Sequence, residues 1–328
     1  MATIKDVAKL AEVSVGTVSK YLNGFKVKEK TRIAVEQAIQ ALSYEPNIYA
    51  KGLKTNRTNS VVLLIPSVWH PFFSELTYYI EQALRKKGIK LILCNTRDNL
   101  DAEIEYVTMA RQNKVDGIIA ITYSNIDEYI TSDMAVVSID RFFSANTDFI
   151  SSDNYHGGYQ GAEILAQSGS TNLAYVGHGS SYANDTTARL DGFKDYCEVH
   201  GIPYHLCYGE GTLDDYQEQL MTFVDQIASG KLSIDGILTA SDTHALRVYE
   251  LLKQRGIQIP EDIQLIGFDG SQQSQSVPIF LSSIRQNVPV IAQEAVSCLL
   301  KRINDGNDNH PVVHKKVPIS FLKGQTTR

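Results

Sequence analysis

Few residue patterns in this 328-residue sequence could support catalysis. Gly177-His178-Gly179 follows an apolar run, as a dinucleotide-binding loop would, but no third glycine stands at the required offset. The sequence holds no Walker phosphate loop, no G-x-S-x-G nucleophile elbow and no H-E-x-x-H zinc motif. The four cysteines also lack metal-binding spacing. We therefore expect no enzyme activity, no cofactor and no metal site.

The first 24 residues instead place hydrogen-bonding side chains where two short helices would begin. Thr3 and Asp6 have the spacing of a capping box, and Ser14 is a second N-cap candidate before residues 15–23. Apolar residues recur at helical spacing in both segments, with a short break at 12–13. Two short helices joined by a tight turn predict a helix-turn-helix, which presents its second helix to the major groove of DNA.

The charge distribution supports this interpretation. The net charge of the chain is −6, but residues 1–58 hold ten Lys and Arg against five Asp and Glu, whereas the remainder holds 21 against 32. A basic segment on an acidic body confines the attraction for phosphates to one end of the chain.

From residue 60 onward, short apolar runs alternate with amphipathic helical segments, and the pattern restarts near residue 158. Strands that alternate with helical crossovers build open parallel sheets. The sequence therefore predicts an α/β fold with two successive lobes. Ligands of open α/β sheets bind beyond the carboxyl ends of the strands, so we expect a ligand between the lobes.

The N-terminal segment resembles the DNA-binding headpiece of the LacI/GalR transcriptional regulators, whose pattern is T-[IL]-x-D-V-A-x-x-A-x-V-S-x-x-T-V-S-x-x-[LIV]-N. The matching positions are Thr3, Asp6, Val7, Ala8, Ala11, Val13, Ser14, Thr17, Val18, Ser19, Leu22 and Asn23. The body carries further family motifs at 138–141, 152–158, 189–193, 241–242 and 259–269. The resemblance therefore covers essentially the whole chain.

The resemblance implies a helix-turn-helix headpiece at 1–45, a hinge at 46–58 and a two-lobed, type I periplasmic-binding-protein-like body with parallel sheets at 59–328. The N-lobe would comprise about 59–157 and 286–317, and the C-lobe about 158–285 and 318–328. It also implies a homodimer on near-palindromic operator DNA. The implied DNA contacts are Thr3, Ser14, Val15, Gly16, Thr17, Ser19, Lys20, Asn23, Asn47, Ala50, Lys51 and Leu53.

Within the hinge, the family uses its leucine, here Leu53, as a wedge in the minor groove. A plain linker is the alternative for this segment.

The family also implies an effector site in the cleft between the lobes. The residues carried over are Ser67, Trp69, Phe72, Phe73, Arg189, Ser241, Asp242 and Asp269. A flat aromatic face with Asp, Arg and Ser around it suits a sugar, which has apolar faces and polar edges. Three alternatives remain open at this stage: a structural Arg189–Asp269 ion pair, a subunit-contact role for Trp69, and a core role for the two phenylalanines.

The interpretation that follows is a cytoplasmic repressor of a carbohydrate-utilisation operon, controlled by a small sugar or sugar phosphate. A di- or oligosaccharide or its phosphate is the first expectation. One alternative is a regulator of catabolite-control type, which uses a phosphorylated carrier protein as co-repressor. A second is a solute-binding protein, which the headpiece and the lack of a signal peptide oppose. No apolar run is long enough to span a bilayer, so no membrane partner is expected.

Overall fold

The structure is a computed structural model of the chain. This structure describes residues 2–45, 57–131, 133–143, 147–180, 182, 184–209, 211–271, 279–306 and 311–328. The chain divides into two compact units, 1–58 and 59–328. The hinge residues Asn47, Ala50, Lys51 and Leu53 lie outside the described residues. No helix among the described residues is long and apolar enough to cross a membrane.

The first unit contains three helices, α1 (Ile4–Leu10), α2 (Val15–Leu22) and α3 (Glu29–Ala41). Local hydrogen bonds start the first two. The Thr3 N–H donates to the Asp6 carboxylate at 2.8 Å and the Asp6 N–H donates to the Thr3 hydroxyl at 3.4 Å, while the Ser14 hydroxyl accepts from the Thr17 N–H at 3.1 Å. The helices pack around a small apolar core, formed by Val7, Ala8, Ala11, Val18, Val35 and Ala38.

The first lobe of the body is a six-stranded parallel sheet covered by helices on both faces. Its strands are β1 (Ser60–Ile65), β2 (Lys90–Asn95), β3 (Gly117–Ala120), β4 (Val136–Ile139), β5 (Asp148–Ser152) and β11 (His314–Val317), in the order β11-β5-β4-β3-β1-β2. Its helices are α4 (Pro71–Arg85), α5 (Leu100–Gln112) and α10 (Val288–Asp305). The central strands β1 and β3 are almost fully apolar because both faces of the sheet are covered there.

The second lobe repeats this architecture. Its strands are β6 (Leu173–His178), β7 (Tyr204–Gly209), β8 (Gly236–Thr239), β9 (Gln264–Asp269), β10 (Ser282–Arg285) and β12 (Ser320–Leu322), in the order β12-β10-β9-β8-β6-β7. Its helices are α6 (Asn154–Gln167), α7 (Ala188–His200), α8 (Leu213–Ala228) and α9 (Asp242–Gln254). Only the pairing of β12 with β10 is antiparallel among the pairings that the structure describes.

The two lobes contact each other along the carboxyl ends of their strands. The Ser180 hydroxyl donates to the Tyr123 carbonyl at 3.0 Å, and the Asp185 N–H donates to the Asp140 carbonyl at 2.8 Å. Further along, Arg285 pairs with Glu75 at 2.9 Å. The His70 ring also lies 3.2 Å from the Thr243 hydroxyl. These contacts hold the two lobes against each other.

Candidate functional site

The second helix of the first unit presents an exposed face. Val15, Gly16 and Lys20 are exposed on α2, and Val18 is its buried residue. A Cβ atom added at Gly16 would meet only the Ser14 hydroxyl, at 3.6 Å, so the surface there is open. This surface is the one that a helix-turn-helix presents to base edges.

The other predicted DNA contacts within residues 2–45 have local structural partners. Thr3 and Ser14 are the helix caps, and the Thr17 hydroxyl lies 2.9 Å from that of Ser14. The Asn23 side chain donates to the Ser19 carbonyl at 2.8 Å. Helix N-termini attract phosphates. These residues therefore have a structural role that is compatible with backbone contacts to DNA.

A polar network that links α2 to α3 was not predicted from the sequence. The Tyr21 hydroxyl on α2 donates to Glu36 on α3 at 2.8 Å, and Arg32 pairs with Glu36 at 2.6 Å and with Glu29. Arg32 stands three residues after Glu29 and four before Glu36, which is the spacing of ion pairs on one helix and could have been read from the sequence. The hydrogen bond from Tyr21 to Glu36 joins two helices and gave no such signal.

In the body, a cavity of about 770 Å³ lies between the lobes. It lies beyond the carboxyl ends of both sheets, where the parallel topology predicts a ligand site. The cavity wall includes six of the eight residues expected there: Ser67, Phe72, Phe73, Arg189, Ser241 and Asp269. Phe72 and Phe73 are both buried and meet edge to face at 5.4 Å.

Three protein groups hold the Arg189 guanidinium in the cavity wall. Its Nε donates to the Asn154 side chain and its Nη1 to the Ala240 carbonyl, both at 2.7 Å. The guanidinium stacks on the Phe268 ring at 3.8 Å. Close approach of α6 to α7 sets this position, because a Cβ at Gly158 would overlap the Arg189 carbonyl.

Asp269 is the carboxylate at the base of the cavity and is 3% exposed. Its Oδ1 accepts from the Gln286 amide at 2.7 Å and lies 3.7 Å from Arg189 Nη1. Gln286 is in turn held by the Ser152 hydroxyl, which donates to its Oε1 at 2.6 Å. Asp269 Oδ2 is buried and has no hydrogen-bond partner among the described residues. A buried acceptor without a partner is costly, so this atom is suited to a ligand donor.

The backbone at Asp269 and Asp140 is unusual. Both residues have positive φ angles, of 111° and 58°. Such conformations cost non-glycine residues about 1–3 kcal/mol and are concentrated at functional sites. Both aspartates line the cavity.

Burial shifts the protonation of the acids around the cavity. It raises the pKa of Asp140 to about 6, against the opposing effect of Arg189. Burial also raises the pKa of Asp269, again opposed by Arg189. Burial, together with the charge of Asp269, raises the pKa of Asp242 to about 8. Burial lowers the pKa of His244 to about 4, so this ring is neutral when it bonds the Ser241 hydroxyl at 2.7 Å.

Two expected effector residues do not line the cavity. Trp69 is 91% exposed, and its backbone N–H donates to the Ser67 hydroxyl in the loop before α4. Asp242 is buried in the C-lobe, where it accepts from the Ser271 N–H at 2.7 Å and the Ser283 hydroxyl at 2.5 Å. Aromatic surface in the cavity comes instead from phenylalanine and tyrosine side chains.

The cavity also contains residues that were not assigned to it from the sequence. Among them are Asp98, Asp140, Gln286 and Tyr216. Asp140 and Gln286 follow β4 and β10 directly, so the strand-end rule could have found them. Tyr216 gave no such signal, because it lies on the first turn of a helix. No group of His, Cys, Asp or Glu in the described ranges could hold a metal ion.

Comparison with known proteins gives matches over the whole chain. Residues 3–47 match the family model of bacterial regulatory proteins of the lacI family, and residues 162–327 match a periplasmic binding protein-like domain. The sucrose operon repressor of Pediococcus pentosaceus is 32% identical over 332 residues, which cover 98% of each chain. The ribose operon repressor of Bacillus subtilis (strain 168) is 31% identical over 333 residues, which cover 100% of this chain and 99% of that protein.

Solved structures share the fold. A periplasmic binding protein/LacI transcriptional regulator from Alkaliphilus metalliredigens, complexed with D-xylulofuranose, superposes with a TM-score of 0.72 at 27% identity, covering 82% of this chain and 99% of that one. The lac repressor dimer bound to operator and an anti-inducer has a TM-score of 0.83 at 22% identity, covering 99% and 98%. The curated relatives are transcriptional repressors and not enzymes. The chain belongs to the LacI family of bacterial regulatory proteins.

Proposed function

We propose that this protein is a sequence-specific transcriptional repressor of carbohydrate-utilisation genes, and that a small sugar or sugar phosphate in the interlobe cavity controls its affinity for operator DNA. The observation that carries the proposal is Asp269 Oδ2, a buried carboxylate oxygen without a partner among the described residues. It lies in a cavity lined by aromatic rings and hydrogen-bonding groups. The names of the two curated relatives, a sucrose and a ribose operon repressor, support a sugar.

The chemistry of the cavity suits a polyol. A carboxylate accepts hydroxyl hydrogen bonds, and Asp140 and Asp269 both offer such oxygens. Ser241 and Gln286 add neutral polar groups to the wall, while Phe72 and Phe73 offer the apolar surface on which the C–H face of a sugar packs. We assign Ser67 and Arg189 to the same site. Arg189 would act chiefly through its charge on Asp269, 3.7 Å away, because three protein groups already engage its guanidinium.

For DNA, we assign direct base readout to Val15, Gly16 and Lys20, which are exposed on α2. A valine methyl contacts a thymine methyl, and a lysine donates to guanine O6 and N7. We assign operator contacts also to Thr3, Ser14, Thr17, Ser19 and Asn23. The hinge residues Asn47, Ala50, Lys51 and Leu53 complete the proposed interface.

A near-palindromic operator requires a two-fold dimer, because each half-site is read by one headpiece. We therefore propose a homodimer. Since such a regulator acts on the chromosome, we place it in the cytoplasm. Effector binding would change the relative orientation of the lobes, which separates the paired hinges and lowers operator affinity. This response requires that the sugar bind the two lobe arrangements with different affinity.

A ligand screen tests the proposal directly. Purified full-length protein is melted in the presence of sucrose, cellobiose, ribose, fructose and their available 6-phosphates, and operator binding is measured with each compound that raises the melting temperature. A ligand at 100 times its Kd stabilises the native state by about 2.7 kcal/mol, which a thermal shift detects. We expect at least one sugar to stabilise the protein and to change its operator affinity. Failure of every compound to do both would refute the proposed function.

A further inference from the structure

The two lobes meet at Asp140 and Asp185, a contact that we call the seam. Asp140 directly follows β4 of the first lobe and is 1% exposed. Asp185 lies in a short 3-10 turn that leads into α7 of the second lobe. Its backbone N–H donates to the Asp140 carbonyl at 2.8 Å, so the two backbones are in direct contact. Two acidic residues, one from each lobe, are therefore held next to each other.

One side-chain amide stands between the two carboxyl groups. Asn154, the first residue of α6, is fully buried, and its Nδ2 lies 3.0 Å from Asp185 Oδ2 and 3.5 Å from Asp140 Oδ1. Its Oδ1 accepts from Arg189 Nε at 2.7 Å. Because a guanidinium has only donors, Asn154 must turn its oxygen to Arg189 and its NH₂ group to the two acids. The neighbours of this amide therefore fix its orientation.

The charges around Asp140 do not balance. The charged and titratable groups that face it are Arg189 of α7, Asp185 of the turn before α7, Asp269 of β9 and Tyr123 in the loop after β3. Three carboxyl groups therefore surround one guanidinium. Burial is the main reason that the pKa of Asp140 is raised to about 6; Arg189 and the Asn154 amide oppose this shift, while the charges of Asp185 and Asp269 add to it. With the lobes together, Asp140 thus takes up a proton near pH 6.

Separation of the lobes would undo this arrangement. Asn154, Asp185 and Arg189 belong to the second lobe and would move away together, which would leave Asp140 of the first lobe in contact with water. The pKa of Asp140 would then fall towards its ordinary value of 3.8. Because the pKa is higher with the lobes together, a proton stabilises that arrangement. This stabilisation is fully present below pH 3.8 and is lost as the pH rises through about 6.

We propose that Asp140, Asn154 and Asp185 form a proton-linked latch between the lobes, and that uptake of one proton by the acid pair holds the lobes together and tightens effector binding. Asn154 is the positioning residue, because its NH₂ group joins the two acids and its oxygen aligns Arg189. The link to the effector rests on the proposed function: a sugar that contacts both walls of the cavity binds best when the lobes are together. The latch itself does not depend on the identity of the ligand.

Hydrogen exchange of the full-length protein without ligand tests the latch. Protection of the Asp185 amide, corrected for the intrinsic exchange rate at each pH, reports how often its bond to the Asp140 carbonyl opens. A pKa that changes from about 6 to 3.8 on opening predicts protection about ten-fold higher at pH 5 than at pH 7.5. In Asp140→Asn we expect this dependence to be less than two-fold. Protection that is independent of pH in the wild type, or equally dependent on pH in Asp140→Asn, overturns the latch.

A second variant separates the acid pair from the cavity. Asp140 lines the cavity, whereas Asp185 does not, so Asp185→Asn removes one charge of the seam and leaves the cavity wall unchanged. We expect this variant to show less than half of the wild-type pH dependence, because burial of Asp140 remains. Asp101→Asn on the exposed face of α5 makes the same change away from the seam and should retain the full dependence. Equal pH dependence in Asp185→Asn and the wild type overturns the role of the acid pair.

Calorimetric titration with sucrose, cellobiose, ribose and fructose, at pH 5 and pH 7.5, tests the link to the effector. We expect a sugar that binds to do so about ten-fold more tightly at pH 5 in the wild type, with a smaller difference in Asp185→Asn. Equal affinity at both pH values overturns the link to effector binding. If no sugar binds, the proposed function fails and this link fails with it, while the hydrogen-exchange result still decides whether the latch exists.

Discussion

Replacing Asp269 by asparagine isolates the acceptor at the base of the cavity. The side chain keeps its size, and its carbonyl oxygen still accepts from Gln286, which lies 2.7 Å away in the wild type. The second oxygen, which has no partner among the described residues, becomes an NH₂ group. The variant therefore exchanges a carboxylate oxygen, which accepts hydrogen bonds, for an amide NH₂ donor at the point where a sugar hydroxyl would bind.

The expected loss of effector affinity follows from the strength of one charge-assisted hydrogen bond. Such bonds contribute about 1.5–3 kcal/mol, and about 1.4 kcal/mol corresponds to a factor of ten, so Asp269→Asn should weaken the effector about 10- to 100-fold. The fold should tolerate the change. Arg189 keeps its bonds to Asn154 and Ala240, and a buried neutral amide avoids the cost of desolvation that raises the pKa of Asp269.

The assay measures operator binding by fluorescence anisotropy, with and without effector, for wild type, Asp269→Asn and the surface control Asp101→Asn on α5. We expect Asp269→Asn to bind operator as the wild type does and to need 10- to 100-fold more effector for release. Loss of operator binding together with the response would show that Asp269 is structural. A wild-type response would place the sugar elsewhere.

Three further predictions concern other parts of the chain. Lys20→Ala should cost about 1–3 kcal/mol of operator affinity and relax the preference at one base pair per half-site, whereas Lys9→Ala on α1 should leave the preference unchanged; selection from random DNA measures both. Tyr21→Phe removes the hydrogen bond to Glu36 and should lower the free energy of unfolding of the headpiece by about 0.5–1.5 kcal/mol, measured by thermal unfolding. An unaltered transition would show that this bond does not stabilise the packing of α2 on α3. The pKa of Asp242 is raised from 3.8 to about 8, so the stability that its proton contributes is fully present below pH 4 and is lost as the pH rises to about 8. Asp242→Asn should therefore show a flatter dependence of melting temperature on pH between 5 and 9, and a slope equal to that of the wild type would contradict this.

The headpiece could be predicted in detail because its signals are local. Thr3 and Asp6 are three residues apart, and so are Ser14 and Thr17, and each pair forms the cap that its spacing indicates. The alternating strands and helices of the body likewise predict parallel sheets, because a helical crossover returns the chain to a parallel neighbour. Local patterns were therefore sufficient for the helix caps and for the parallel sheets.

The cavity depended on contacts that no local pattern encodes. Gln286 reaches Asp269 at a distance of 17 residues along the chain, and Ser152 reaches Gln286 across 134 residues. Trp69 shows the complementary error. Its residue type suits a sugar, but its side chain is exposed in a loop where the Trp69 backbone N–H donates to the Ser67 hydroxyl. Phe72 and Phe73, in the helix that follows, are buried and line the cavity. Aromatic type alone did not indicate which side of the loop the ring occupies.

The alternative left open for Arg189 and Asp269, a structural ion pair, can now be weighed in physical terms. Arg189 Nη1 lies 3.7 Å from Asp269 Oδ1, which is longer than a charge-assisted hydrogen bond of about 2.7–2.9 Å. Arg189 makes its short bonds to Asn154 and Ala240 instead, and Asp269 makes its own to Gln286. A pair optimised for stability would bring the two charges together. We infer that Arg189 offsets part of the desolvation that raises the pKa of Asp269, while one oxygen of this carboxyl group stays available for a ligand.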